Sequence, residues 1–331
     1  MINIPNIDLK IWNPEEKTIE IIHSLQTTGM AQISMNGEGG DCKTLGLYHL
    51  LDMICDTFQI DSNRITIRTN NQLETHPGYT IKKSEPLYIK SGQQFAREYN
   101  VPEKNWDSLK HFGIFVGRSS WQRLWIASHI WHKYKNITEI TYHYTPGDDY
   151  HRLHLGLDEL MYHLKNQETV KPIYDFLEQL PIKNDTIDNY PIITPAHFSI
   201  SKLYPNFFVE VVCETYLSGN TFYPTEKTWR PFICRTPFIM IGPKNFLYNL
   251  HKLGFKTFSN WWDESYDQDA DLDNGMVMIK SVINILDYLS SLSREELEGM
   301  MIDMQDTLEH NYQRFMSLTD KDFQQLWPSS Q

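Results

Sequence analysis

Cysteine is scarce in this chain of 331 residues: four are present, Cys42, Cys55, Cys213 and Cys234. None forms a CxxC pair and no histidine stands at zinc-site spacing, which excludes a disulfide framework or a zinc module as the organising device and favours a reduced, intracellular protein. Long apolar runs are missing too. No stretch reaches the roughly 18 to 20 residues that a membrane-spanning helix needs, and the opening MINIPNIDLKIW lacks the charged and apolar regions of a signal peptide. The expectation is a soluble, cytoplasmic protein, with only peripheral membrane contact left open. Positive charge is in deficit: Lys and Arg total 30 against 42 Asp and Glu, for a formal net charge of -12. A broad electrostatic footprint for nucleic acid is therefore missing, and any phosphate recognition must be local. No GxSxG, HExxH or Ser/His/Asp order stands out.

What remains is globular composition, 40% hydrophobic and 22% charged, on a chain long enough for two domains or one large α/β unit. Aromatics reach 13%, with 9 Trp and 18 Tyr. Most of them are expected in the core, with some as stacking surfaces for rings or sugars.

Residues 31–58 read as a short strand, a glycine-rich loop and a helix, with Leu47, Leu50, Leu51, Ile54 and Phe58 at helical spacing. RITIRTN (64–70) has strand alternation, and a polar region follows. HFGIFVGRSSWQRLWIASHIWHKY (111–134) repeats the strand, loop and helix grammar, so a second domain is set to begin near residue 107. TEITYHYTP (138–146) reads as a strand, followed by an amphipathic helix around 152–166. NFFVEVVCETY (206–216) is a strand, TEKTWRPFICR (225–235) a short helix, and TPFIMIG (236–242) a strand whose continuous apolar character suits parallel pairing covered on both faces. A helix at 245–255 precedes KTFSNWWDESYD. From Val277 to about Phe315 the chain reads as helical, with Ser293 and Glu296 forming a capping box. The division that results is 1–106, 107–290 and 291–331, in a mainly parallel α/β architecture.

The segment FYPTEKTWRPF (222–232) concentrates chemistry. A helix starting near Thr225 is capped by its hydroxyl and presents N–H groups at the carboxyl end of the sheet, where α/β folds bind ligands and helix N-termini attract phosphate. Lys227 supplies a point charge for a phosphate, and Glu226 an acceptor for a ribose or sugar hydroxyl. The plainer alternative has Glu226 complementing the helix dipole, Lys227 solvated, and Trp229 and Phe232 in the core. Pro231 must kink this helix or move its start.

YPTEKTW followed by PFIMIG resembles the Tyr-x-x-Glu-Lys signature of the family 10 α-1,3-fucosyltransferases, in which a strand ending in Gly follows shortly after. The resemblance covers about residues 110–260. It implies a GT-B-like pair of Rossmann-like domains with C-terminal helices, and a GDP-sugar donor held by Tyr223, Glu226 and Lys227. The family's first strand, loop and helix of the donor domain carry a polar turn and an Arg that contacts the diphosphate. FVGRSSWQRLWIASHI is similar to that element, with Arg123 the better match and Arg118 the second. Gly-Arg-Ser-Ser stands where the family has Ser-Asn-Cys, and Trp-Arg-Pro-Phe after the Lys also departs from its pattern. A related but distinct glycosyltransferase family is therefore expected.

Further candidates follow from the chemistry that such a transferase needs. A carboxylate or His must take the acceptor's proton, and Glu38 or Asp41 in MNGEGGDCKTLG can serve. That loop (36–46) fails the GxxxxGK[ST] pattern because Cys42 precedes Lys43, yet a P-loop-like phosphotransferase stays an alternative. WWDESYD offers Trp262 as a sugar platform and Asp263 and Glu264 to hydroxyls, against an aromatic core with a solvated acidic turn. DADLD (269–273) matches an Asp-x-Asp metal pattern but reads better as an acidic loop. HYTPGDDYHRLH, with His143 and His151, has no recognised metal spacing. The expectation is a metal-independent, cofactor-free glycosyltransferase acting on a nucleotide sugar and a glycan or other hydroxyl acceptor. Its rival is a non-catalytic carbohydrate-binding protein.

Overall fold

The structure, a computed structural model, describes residues 6–8, 14–35, 39–84, 86, 88–100, 103–143, 153–164, 171–183, 196–271 and 275–329. The first part runs β1 (Asn6–Asp8), α1 (Pro14–Thr28), β2 (Ala31–Met35), α2 (Leu47–Phe58), β3 (Ile65–Thr69) and β4 (Thr80–Lys83). The strands pair in parallel in the order β1-β2-β3-β4. In β3, Ile65, Ile67 and Thr69 are buried while Thr66 and Arg68 are partly exposed, so one face carries the core. Sequential order gives this sheet no reversal of strand direction in space, and in that respect it differs from the doubly wound pattern expected of it. α1 escaped the sequence reading, although Ile21, Ser24 and Leu25 form one buried stripe.

The second part comprises α3 (Ile89–Glu98), β5 (Lys110–Val116), α4 (Trp121–Tyr134), β6 (Thr138–Tyr142), α5 (Leu153–His163), α6 (Lys171–Leu177), β7 (Phe207–Cys213), α7 (Glu226–Ile233), β8 (Phe238–Ile241), α8 (Phe246–Lys252), α9 (Met276–Ser290), α10 (Arg294–Ser317) and α11 (Asp320–Leu326). Its strands are parallel in the order β6-β5-β7-β8. β6 and β7 leave β5 on opposite sides, which creates a switch point at the carboxyl ends of β5 and β7. Every residue of β7 and β8 is buried, as their continuous apolar sequences require of parallel strands covered on both faces.

One acid interrupts that run. Glu210 in β7 is 1% exposed and pairs with Arg230 of α7 at 3.0 Å, while Tyr204 donates its hydroxyl to the other carboxylate oxygen. Burial raises the Glu210 carboxyl above its ordinary value, against the pull of Arg230. α7 starts at Glu226 and extends only two residues past Pro231, so the missing N–H falls close to its end and no earlier break is needed.

The buried apolar side chains divide into two clusters, one spanning Ile21 to Ile81 and the other Ile89 to Trp327. Ile89 and Ala96 of α3 belong to the second, so the division falls after β4, ahead of the expected residue 106. The C-terminal helices also join that core: Phe315 of α10 stacks on Trp229 of α7 at 5.5 Å. Gln93 of α3 ties the same turn down by donating to Phe315 O and Leu318 O. Ser293 and Glu296 form the expected capping box at the start of α10. Among the described residues, no single helix is long and apolar enough to cross a membrane.

Trp229 is fully buried and touches Phe232, Phe255 and Phe315, so it joins α7 to the C-terminal helix. Trp229→Ala is expected to lower unfolding free energy by about 3–5 kcal/mol, measured by urea denaturation; a loss below 1 kcal/mol would contradict that placement.

Candidate functional site

The switch point is organised by a residue the sequence reading missed. Glu214, 1% exposed, follows directly on β7. Its Oε1 accepts from the Thr225 backbone N–H at 3.0 Å and from Thr228 Oγ1 at 2.5 Å. Its Oε2 accepts from Thr225 Oγ1 at 2.8 Å and from the Thr215 N–H at 3.1 Å. Thr225 caps α7, as its place before the helix predicts, accepting from the Lys227 N–H at 3.4 Å. Lys227 folds back over this cap: its Nζ donates to Thr225 Oγ1 at 2.9 Å and lies 3.0 Å from Glu226 Oε1 and 4.0 Å from Glu214 Oε2. The N-terminus of α7 is thus filled by the protein's own carboxylate, where a phosphate was expected. The only signal for Glu214 in the sequence is a lone acid where an apolar strand ends, at the end of the sheet where ligands bind.

Across the crevice, the turn after β5 begins α4. The N-cap Ser120 makes no side-chain cap, and its buried Oγ has no hydrogen-bond partner among the described residues. Ser119 accepts from the Tyr142 hydroxyl at 2.8 Å, and Arg118 is half-buried on the same turn. Arg123 is 6% exposed and works as a stitch: Nη1 donates to Arg118 O at 2.8 Å, and Nη2 to Cys213 O and Glu214 O at 3.2 and 2.8 Å. Its guanidinium is thus engaged by backbone carbonyls. The same stitch brings the turns after β5 and β7 together.

The loops of the first sheet meet this region through residues 219–223. Asp41 accepts from the Lys43 N–H, Thr44 Oγ1 and, across the interface, the Asn220 N–H, each at 2.9 Å. With three donors on its carboxylate it is a tie between loops, and a role as proton acceptor is not what its contacts favour. Glu74, also unforeseen, is 5% exposed and accepts from the Cys42 N–H, Tyr48 Oη and Asn71 Nδ2. The amides of Cys42 and Lys43, which a P-loop would turn toward phosphate, are therefore engaged by Glu74 and Asp41. Tyr223 is 5% exposed and its ring lies on Gly39, where an added Cβ would sit 2.1 Å from Tyr223 Cγ. Glu38 lies outside the described residues.

Glu214, Tyr216, Thr221, Tyr223, Pro243 and Phe246 surround a recess of about 140 Å³. Part of that space is open to solvent and almost none of it would hold a water molecule, so the recess falls far short of the roughly 300 Å³ at which pockets for drug-sized ligands begin. The expected acceptor residues lie apart from it. Trp262 is 6% exposed and stacks on Phe258, which packs edge-on against Phe238 at the start of β8, the strand end away from Gly242. It is a core residue, as large aromatics most often are. Asp263 is exposed and turns back on Ser265. Glu264 accepts from Thr257 Oγ1 at 2.5 Å and the Phe258 N–H at 2.9 Å, and burial pushes its carboxyl up to about 7. His143 is buried, and its backbone N–H donates to Val116 O at 2.9 Å. His151 and the last residues of DADLD lie outside the described residues; among those described, no group of three or more His, Cys, Asp and Glu is disposed to hold a metal.

Two outcomes follow. Gly39→Ala is expected to destabilise by about 1–3 kcal/mol through collision with the Tyr223 ring, and in a double-mutant cycle Tyr223→Ala should relieve much of that loss; strict additivity would refute the contact. Glu264 holds its proton in the folded state up to about 7 but loses it near 4.5 once unfolded, so its contribution is full below 4.5 and disappears as pH rises to 7. Measured as a difference from the parent, the stability of Glu264→Gln should therefore rise by about 1–2 kcal/mol between pH 4.5 and 7, a figure reduced for partial solvent screening; a flat difference would remove Glu264 as the cause. The chain matches no family model, no curated protein and no solved structure.

Proposed function

We propose that this protein is a GT-B-like glycosyltransferase that takes a nucleotide diphosphate sugar, with a GDP-sugar favoured, and passes the sugar to a carbohydrate or other hydroxyl acceptor without a metal. The observation that carries the proposal is the Arg123 stitch. It holds the Arg118 turn and the Glu214 turn side by side at the switch point of a parallel sheet, where α/β folds bind nucleotides. Two parallel sheets whose connecting loops face one another, with C-terminal helices packed back on α3 and α7, are also what a GT-B arrangement would have.

The division of labour follows from which helix ends are occupied. α7 has Glu214 at its N-terminus, so the diphosphate falls to the uncapped start of α4, with its Ser120 Oγ and Arg118. Tyr223 and Glu226 take the nucleoside or sugar hydroxyls. Lys227 turns from Glu226 to the departing diphosphate and stabilises its charge, the principal catalytic contribution. The proton of the acceptor hydroxyl needs a carboxylate or His from the first sheet's loops; with Asp41 engaged, Glu38 is the candidate.

Thermal unfolding against GDP, UDP, CDP, ADP and ATP tests this. One nucleoside diphosphate at 100-fold over its dissociation constant should stabilise by about 2.7 kcal/mol, and Arg118→Ala should abolish most of the rise. Lys227→Ala should lower turnover by about 10²–10³-fold while changing stability by less than about 1 kcal/mol. A flat response to every nucleotide would withdraw the transferase in favour of a carbohydrate-binding protein, and a response lost in Lys43→Ala alone would favour a phosphotransferase.

A further inference from the structure

The wall of the Glu214 recess is also the contact between the two cores. Thr221 and Tyr223 line the recess, and the stretch that contains them is held to the first sheet's loops at each residue from 220 to 223. Asn220 N–H donates to Asp41 Oδ2 at 2.9 Å. Asn220 O accepts from Asn71 Nδ2 at 2.9 Å. Thr221 Oγ1 donates to Gly39 O. Phe222 N–H donates to Asn71 Oδ1, and its carbonyl accepts from the Gln72 N–H, both at 3.0 Å. Gly219, at φ +87, has its Cα close against Asp41, with 2.9 Å left to the Asp41 Cβ for any added methyl. The Tyr223 ring covers Gly39. The Phe222 ring completes the closure, packed between Phe246 of the recess and Trp327 at the end of the chain, each at 5.1 Å.

We infer that residues 219–223 form a clasp that gates the recess, and that a nucleoside diphosphate binds only when the clasp gives up its bonds to Asp41 and Asn71. The inference rests on the nucleotide-binding role proposed above and adds its regulation. With the clasp shut, the recess has essentially no room even for a water molecule, and so none for a nucleoside diphosphate. The opposite walls cannot yield: Glu214 is fixed by four donors, and Pro243 and Phe246 lie beside the buried β8. The clasp is the wall that can move, because, the Phe222 ring aside, what holds it runs between elements of different cores and none of its bonds belongs to a sheet ladder. When the competent state is a minor one, the apparent dissociation constant exceeds the intrinsic one by the inverse of its population. Weakening the clasp therefore strengthens binding, the opposite of what loss of a ligand contact does.

Asp41 and Asn71 hold the clasp without lining the recess, so Asp41→Ala and Asn71→Ala separate gate from pocket. Titration calorimetry with GDP should show each variant binding roughly 3- to 10-fold tighter than the parent, the equivalent of one or two interfacial hydrogen bonds. In the unmodified protein, amide exchange at 219–223 should accelerate when GDP is saturating. Exchange needs no substitution, so it tests the gate even if the fully buried Asn71 proves necessary for folding. GDP binding to the parent with equal or weaker binding to Asp41→Ala, or with slower or unchanged exchange at 219–223, would overturn the gate and leave the nucleotide site standing. Absence of binding by GDP, UDP, CDP and ADP alike in the parent and both variants would overturn the nucleotide site, and the gate with it.

Discussion

A carboxylate sealed from water at the end of a β-strand demands partners, because an unpaired buried charge costs far more than a fold can absorb. Glu214 is that carboxylate, and the local structure can be traced to meeting its demand. Two of its four donors come from Thr225 and one from Thr228, which sets where α7 begins and how the Tyr-Pro-Thr-Glu-Lys stretch approaches the sheet. Its own backbone carbonyl is bound by Arg123, which sets the distance between the turns after β5 and β7. The local charge is two acids, Glu214 and Glu226, with one lysine between them.

The two cores depend on polar contacts where they meet. Each core closes its own apolar surface, so what joins them near the recess is a short row of backbone and amide hydrogen bonds around Asn71 and Asn220, supplemented by Tyr223 on Gly39. Such contacts are individually worth about 0.5–1.5 kcal/mol, a scale at which an interface can be both specific and open to rearrangement. The end of the chain adds a link of its own, where Ser329 Oγ accepts from the Lys83 N–H of β4 at 3.0 Å.

Regular elements whose burial is periodic were legible in the sequence: β5, β7 and β8 as apolar runs, α2 and α4 by their spacing, the α7 cap at Thr225 and the capping box at Ser293. β4 and α3 were not. Each is short and polar on average, and becomes regular only through pairing with β3 or packing on α7. The site was legible as a location more than as a set of roles. Tyr223, Thr225, Glu226 and Lys227 do gather at the switch point with the Arg118 turn. Arg123, carried over from the family resemblance, is engaged by backbone carbonyls; Asp41, taken as a possible base, is engaged by two amides and a hydroxyl; and Trp262 is core. Charge and aromaticity are composition, whereas the groups that meet them come from distant parts of the chain.

Composition and periodicity alone determined that this chain builds parallel α/β layers with an acidic surface, because strand and helix periods are local and net charge is a sum. Tertiary structure decided which acid is the anchor, which arginine is the stitch, and where one core ends and the next begins. Those outcomes depend on contacts between residues 91 and 149 positions apart, Arg123 with Glu214 and Asn71 with Asn220. No window of sequence contains both partners, and their desolvation is settled only when the sheets close.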